Sequence, residues 1–136
     1  MFRHIPADKS GIYFSNKITE TDSINILNFH YIYNGGGIGV GDFDKNGFPD
    51  LVFSGNQVAS KIYLNKGGLR FEDITETAAL KTIGWTTGVS IVDINGDGWQ
   101  DIYFSVGGYN CEGNCQNQLY INSGIPSSFR PVFIYN

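Results

Sequence analysis

The sequence predicts an all-β protein built from two four-stranded units, and three observations predict it. The segment Asp42-Phe43-Asp44-Lys45-Asn46-Gly47-Phe48-Pro49-Asp50 returns 51 residues later as Asp93-Ile94-Asn95-Gly96-Asp97-Gly98-Trp99-Gln100-Asp101. Each copy runs into a short stretch rich in β-branched and aromatic residues, Leu51-Val52-Phe53-Ser54 and Ile102-Tyr103-Phe104-Ser105-Val106, with glycine next. Such stretches read as strands. Composition agrees, since 18 glycines and 20 aromatic residues fall among 136 residues of which only 16% are charged. Glycine-punctuated aromatic runs suit an all-β architecture.

The elements follow in order. Residues 1–33 form an N-terminal segment in which 12–14 and 24–33 have strand-like content, separated by the loop chemistry of Thr19-Glu20-Thr21-Asp22-Ser23. Asn34-Gly35-Gly36-Gly37 then forces irregular backbone. The first unit, 34–81, carries strands near 37–41, 51–54, 61–65 and 69–75, and 76–82 reads as a turn or helical bend. The second unit, 82–136, carries strands near 88–92, 102–106, 118–122 and 131–135. Lys61-Ile62-Tyr63-Leu64-Asn65 matches Gln118-Leu119-Tyr120-Ile121-Asn122 at a shift of 57 rather than 51, so six residues are inserted in the second unit, in the 107–115 segment. Four short strands per unit of about 50 residues is the pattern of a propeller blade.

The repeated loop places oxygen-bearing side chains at positions 1, 3, 5 and 9, with Gly47 or Gly98 at position 6. That is a ligand ladder for a hard cation, and Ca²⁺ takes about six to eight oxygens. In the first loop the ligands would be Asp42, Asp44, Asn46, the Phe48 carbonyl and Asp50. In the second they would be Asp93, Asn95, Asp97, the Trp99 carbonyl and Asp101. Carboxylates crowded into nine residues repel one another without a cation. Gly47 and Gly98 sit where the chain turns sharply and are expected at positive φ. Pro49 stiffens the first loop, whereas Lys45 adds positive charge to it. The first six positions also fit an EF-hand, but position 12 is Phe53 or Phe104 instead of a bidentate Glu, and strands follow where an exiting helix is required. The loop therefore belongs to a β-hairpin.

Charge and motif content exclude other classes. A formal net charge of −4 with scattered basic residues offers no phosphate-binding patch, so no nucleic-acid partner is expected. No apolar run approaches the roughly 18 residues of a membrane span. The first six residues, Met1-Phe2-Arg3-His4-Ile5-Pro6, lack the apolar core of a signal peptide, which leaves a cytosolic protein or a chain whose leader has been removed. No G-x-S-x-G, H-E-x-x-H or P-loop is present, and His4 and His30 lie outside the repeats, so no catalytic residue is assigned. Cys111 and Cys115 fall in the inserted loop. A disulfide fits an oxidising location, with two free thiols or a metal half-site as alternatives.

The string from Gly39 to Leu51, followed by Lys61-Ile62-Tyr63-Leu64-Asn65, resembles an FG-GAP/VCBS-type repeat, and Val92 to Ile102 matches it a second time. Such repeats are calcium-loop propeller blades similar to those of integrin α-subunits. Tyr33-Asn34-Gly35-Gly36-Gly37 and Phe71-Glu72-Asp73-Ile74-Thr75 resemble secreted bacterial members, including those with an ASPIC/UnbV-type region. The resemblance implies a non-catalytic module with two Ca²⁺ sites that serves adhesion or binds a protein or carbohydrate outside the cell, in the periplasm or on a bacterial surface. Alternatively, it is a non-catalytic part of a polysaccharide-active enzyme or a structural scaffold. The loop at 107–115 and the turn at 55–60 are the expected binding segments, and Trp85, Trp99 and Tyr109 are available for sugar stacking, although packing is the commoner use. A propeller closes with about four to eight blades. Two blades imply a fragment that needs further blades or self-association to cover an exposed apolar face.

Overall fold

Among the described residues, eight strands in two separate sheets account for nearly all the regular structure. The computed structural model describes residues 2–108 and 115–124, together with the backbone of 129–134. The first sheet holds β1 (Ile38–Gly41), β2 (Asp50–Phe53), β3 (Lys61–Asn65) and β4 (Phe71–Asp73), and the second holds β5 (Thr86–Val92), β6 (Asp101–Val106), β7 (Asn117–Asn122) and β8 (Phe129–Ile134). Each sheet is an antiparallel meander in sequence order. The two sheets are successive propeller-type blades, and the repeated Asp-rich loops are the β1–β2 and β5–β6 connections.

Alternation within each strand decides what faces the neighbouring blade. Val52, Ile62 and Leu64 from the first sheet meet Ile102, Phe104 and Tyr120 from the second, with Ile74, Ala78 and Leu80 closing the same core. Val89 and Ile91 of β5 pack against it. They are admitted by β1, whose inward residues are glycines. A side chain at Gly37 would meet the Val89 amide nitrogen at 2.9 Å, and one at Gly39 would meet the end of Ile91 at 2.8 Å. Consequently Ile38 and Val40 point outward and stay 63% and 58% exposed. The usual expectation, apolar side in, is reversed in this strand.

The connections are held by buried polar side chains. Asn56 donates to the carbonyls of Gly35 (3.2 Å) and Thr86 (3.0 Å), joining the first blade to the second. Ser60 meets the Thr82 and Thr86 hydroxyls, and Thr86 donates to the Gly55 carbonyl. The turn at 55–60 is thus largely a packed joint rather than a free binding loop. Likewise Trp85 packs edge-on against Phe29 at 5.2 Å. Tyr109 lies outside the described residues.

The N-terminal segment departs from expectation. Residues 12–14 and 24–33 form no strand, and a single helical turn, α1 (Ala7–Ser10), precedes them. Between 21 and 29, Asn25 and Asn28 spend their side chains on the main chain. Asn25 accepts from the Leu27 and Asn28 amides and donates to the carbonyls of Thr21 and Asp22, to which Asn28 also bonds. Local bonds of this kind compete with a β ladder. Phe14 instead lies on the outer face of the first blade, stacked 5.0 Å from Phe53.

Candidate metal centre

The two loops share their main turn-forming hydrogen bonds. In the first, Asp42 accepts the amides of Asn46 (3.0 Å) and Gly47 (2.9 Å), and Asn46 accepts that of Phe48 (2.8 Å). In the second, Asp93 accepts the amides of Asp97 (3.1 Å) and Gly98 (2.8 Å), and Asp97 accepts that of Trp99 (2.8 Å). Gly47 and Gly98 share φ 85°, the left-handed turn expected of them. Position 4 is left-handed too, as Gly96 (φ 73°) in one copy and Lys45 (φ 55°) in the other.

Oxygen donors converge in the first loop. Carboxylate oxygens of Asp42, Asp44 and Asp50 lie within 4.8 Å of one another. Opposite ligands of one Ca²⁺ stand about 4.6–5.2 Å apart, so this donor set fits a hard cation in size and in chemistry. Among the described residues it is the only such group of three acidic or soft-ligand side chains. The second loop has Asn95 at position 3, and its Asp93, Asp97 and Asp101 do not form one. Burial raises the Asp50 carboxyl above the usual carboxylate range. The Asn65 and Phe43 amides oppose this, and the charges of Asp44 and Asp42 add to it. A bound cation would favour the charged form.

The position-9 carboxylates also brace the hairpins. Asp50 is fully buried and accepts the amides of Phe43 (2.8 Å) and Asn65 (2.7 Å). Asp101, equally buried, accepts those of Ile94 (3.0 Å) and Asn122 (2.8 Å). Each therefore ties the start of its loop to the third strand of its blade. Asn65 and Asn122 are functional neighbours that the sequence reading left unassigned. Their signal was present in the matching Leu64-Asn65 and Ile121-Asn122 at the ends of corresponding strands.

Lys45 does not serve its own loop. Its ammonium lies 4.0 Å from the centroid of the Trp99 ring in the second loop. The Trp99 amide and the Asn95 side chain hold the Asp97 carboxyl below the usual range, and the charge of Lys45 lowers it further. The positive charge that Lys45 adds to the first loop in sequence thus lies at the second loop in space.

Residues 42–104 match the family model of the FG-GAP-like repeat. The match starts at Asp42 of the first loop, spans the second loop and ends in β6, so this stretch is similar to an FG-GAP-like repeat. The resemblance to ASPIC/UnbV-type proteins is not part of this match. Searches of curated proteins and of solved structures returned no match. Among the described residues no helix is long and apolar enough to cross a membrane. Cys111 lies outside the described residues, and the expected Cys111–Cys115 bridge with it.

Proposed function

We propose that the chain is a non-catalytic, calcium-stabilised propeller-repeat module that presents its loops to a protein or carbohydrate ligand in an extracellular, periplasmic or surface setting. One observation supports this most: two loops that share their main turn-forming hydrogen bonds, the first with three carboxylates converging within 4.8 Å. Asp42, Asp44, Asn46, the Phe48 carbonyl and Asp50 would hold one Ca²⁺, and Asp93, Asn95, Asp97, the Trp99 carbonyl and Asp101 a second. The cation supplies charge neutralisation and fixes the loop. The chain's own residues turn the backbone, aim the oxygens and bury the brace beneath them.

Flow dialysis with radioactive Ca²⁺ tests the reading. Two bound ions per chain are expected, with affinity on the order of 10⁻⁴–10⁻³ M, as in extracellular modules. Absence of bound Ca²⁺ at millimolar concentration would overturn it. Cys111 and Cys115 are proposed to be bridged in an oxidising compartment. Mass-spectrometric thiol counting on protein from its host checks this, and two free thiols there would contradict both the bridge and the location.

A further inference from the structure

We propose that the two cation loops act as one coupled unit, in which the second loop positions the first. This rests on the reading of the loops as Ca²⁺ sites.

The observation is a run of hydrogen bonds between the blades. It starts at the position-9 carboxylate of the second loop, where Asp101 accepts the Asn122 amide at 2.8 Å. The Asn122 side chain donates to the Phe43 carbonyl in the first loop at 2.9 Å. The Phe43 amide donates to Asp50, the position-9 carboxylate of the first loop, at 2.8 Å. Asp101 and Asp50 are fully buried and Asn122 is 2% exposed, so water cannot readily replace a broken link, and an unmade bond there costs the full desolvation of its partner. A second link runs beside it. The Asp42 amide, on the first ligand of the first loop, donates at 2.7 Å to the side-chain oxygen of Gln100. Gln100 lies between two expected ligands of the second loop, Trp99 and Asp101.

The consequence concerns geometry more than charge. Two cations in neighbouring loops repel, but solvent screens that repulsion at the rim. The links instead make the backbone at Asp42 and Phe43 depend on where Gln100 and Asn122 sit. A cation that orders the second loop fixes both anchors, and so lowers the ordering cost of binding in the first loop. By linkage the effect is reciprocal, and couplings of this kind are typically about fivefold or more in affinity. Gln100 is then a positioning residue for the first site, although it is not expected to ligate either cation.

The Gly47 and Gly98 amides, each donating to the position-1 carboxylate of its own loop, give one NMR reporter per site. Ca²⁺ titration of the full chain followed at both reporters compares wild type with Gln100→Met and Gln100→Ala, which remove the acceptor with and without the bulk. The expected result is a first-site Kd raised about three- to tenfold in both variants. The Asp42 amide should exchange faster, and metal-free melting should stay close to wild type. Asp93→Ala, which disables the second loop, should weaken the first site by a similar factor. An unchanged first-site Kd in these variants, with Ca²⁺ still binding the wild type, would overturn the coupling alone. No Ca²⁺ response in the wild type would overturn the site reading, and the coupling with it.

Discussion

At the scale of single residues, the loops divide labour between side chains that aim oxygens and side chains that set charge. Asp42 and Asp93 each accept the amide of the loop glycine, so each has a turn-forming role besides any ligand role. The ligand role separates by mass action, because a bound ion stabilises only the native state. Asp42→Ala and Asp93→Ala should lower the melting temperature by several degrees more in 5–10 mM Ca²⁺ (about ten times the expected Kd) than in chelator. Equal losses in both buffers would assign the carboxylates to the turn alone. Lys45 gives a second test. Removing its charge with Lys45→Gln should tighten the second site about two- to fivefold and change the first by less, through the coupling alone. It should also forfeit about 0.5–1 kcal/mol of contact with Trp99. Calorimetry resolving two sites would show it, and a change at the first site only would contradict the placement of the Lys45 ammonium.

At the scale of elements, the sequence was legible where period and turn chemistry agreed. β3 falls on 61–65 as read, and β2, β6 and β7 lie within a residue or so of their expected bounds, since β-branched runs bounded by Asp, Gly and Asn leave little choice. The direction of β1 was not legible. Ile38 and Val40 look like core residues, yet the glycines that alternate with them face the core because β5 approaches so closely. A graded prediction follows from the same contacts. Gly37→Ala sets a methyl against the backbone of Gly88 and Val89, which cannot swing aside, and should cost about 1–3 kcal/mol. Gly39→Ala meets only side-chain atoms, of Ile91 and Val89, and should cost less, as denaturant unfolding would measure. At the β4 edge, Asp73 pairs with Lys61 at 3.0 Å. Burial works against its charged form, but the Thr75 hydroxyl and amide and Lys61 outweigh it, so its pKa lies below the usual value. A depressed carboxylate adds stability above its unfolded pKa of about 3.9, and loses it as pH falls through the lower folded value. Asp73→Asn should therefore cost on the order of 0.5 kcal/mol at pH 7 and almost nothing at about pH 2. A constant cost across that range would place the effect in packing.

At the scale of the whole molecule, two blades share one core and one buried polar seam, and the repeat in the sequence foretold the blades but not the seam. In the N-terminal segment, the strand-like content of 12–14 and 24–33 forms no strand, because these residues have no ladder to join. Its asparagines close turns on themselves, and Phe14 settles on the face of the first blade beside Phe53. That face was expected to be bare, and its Ile38 and Val40 do remain exposed. The seam was hidden for a different reason. Asn65, Asn122 and Gln100 are ordinary polar residues in sequence, and only the stacking of blades brings Asn122 and Gln100 to the neighbouring loop. The central claim is that the repeated loops are calcium sites. Isothermal calorimetry of the full chain with Ca²⁺, and separately with Mg²⁺, tests it most directly. Two Ca²⁺ per chain are expected, the first loop filling ahead of the second, with weaker binding of Mg²⁺, which prefers a smaller octahedral site and keeps its waters. No heat with Ca²⁺, or a preference for Mg²⁺, would contradict it.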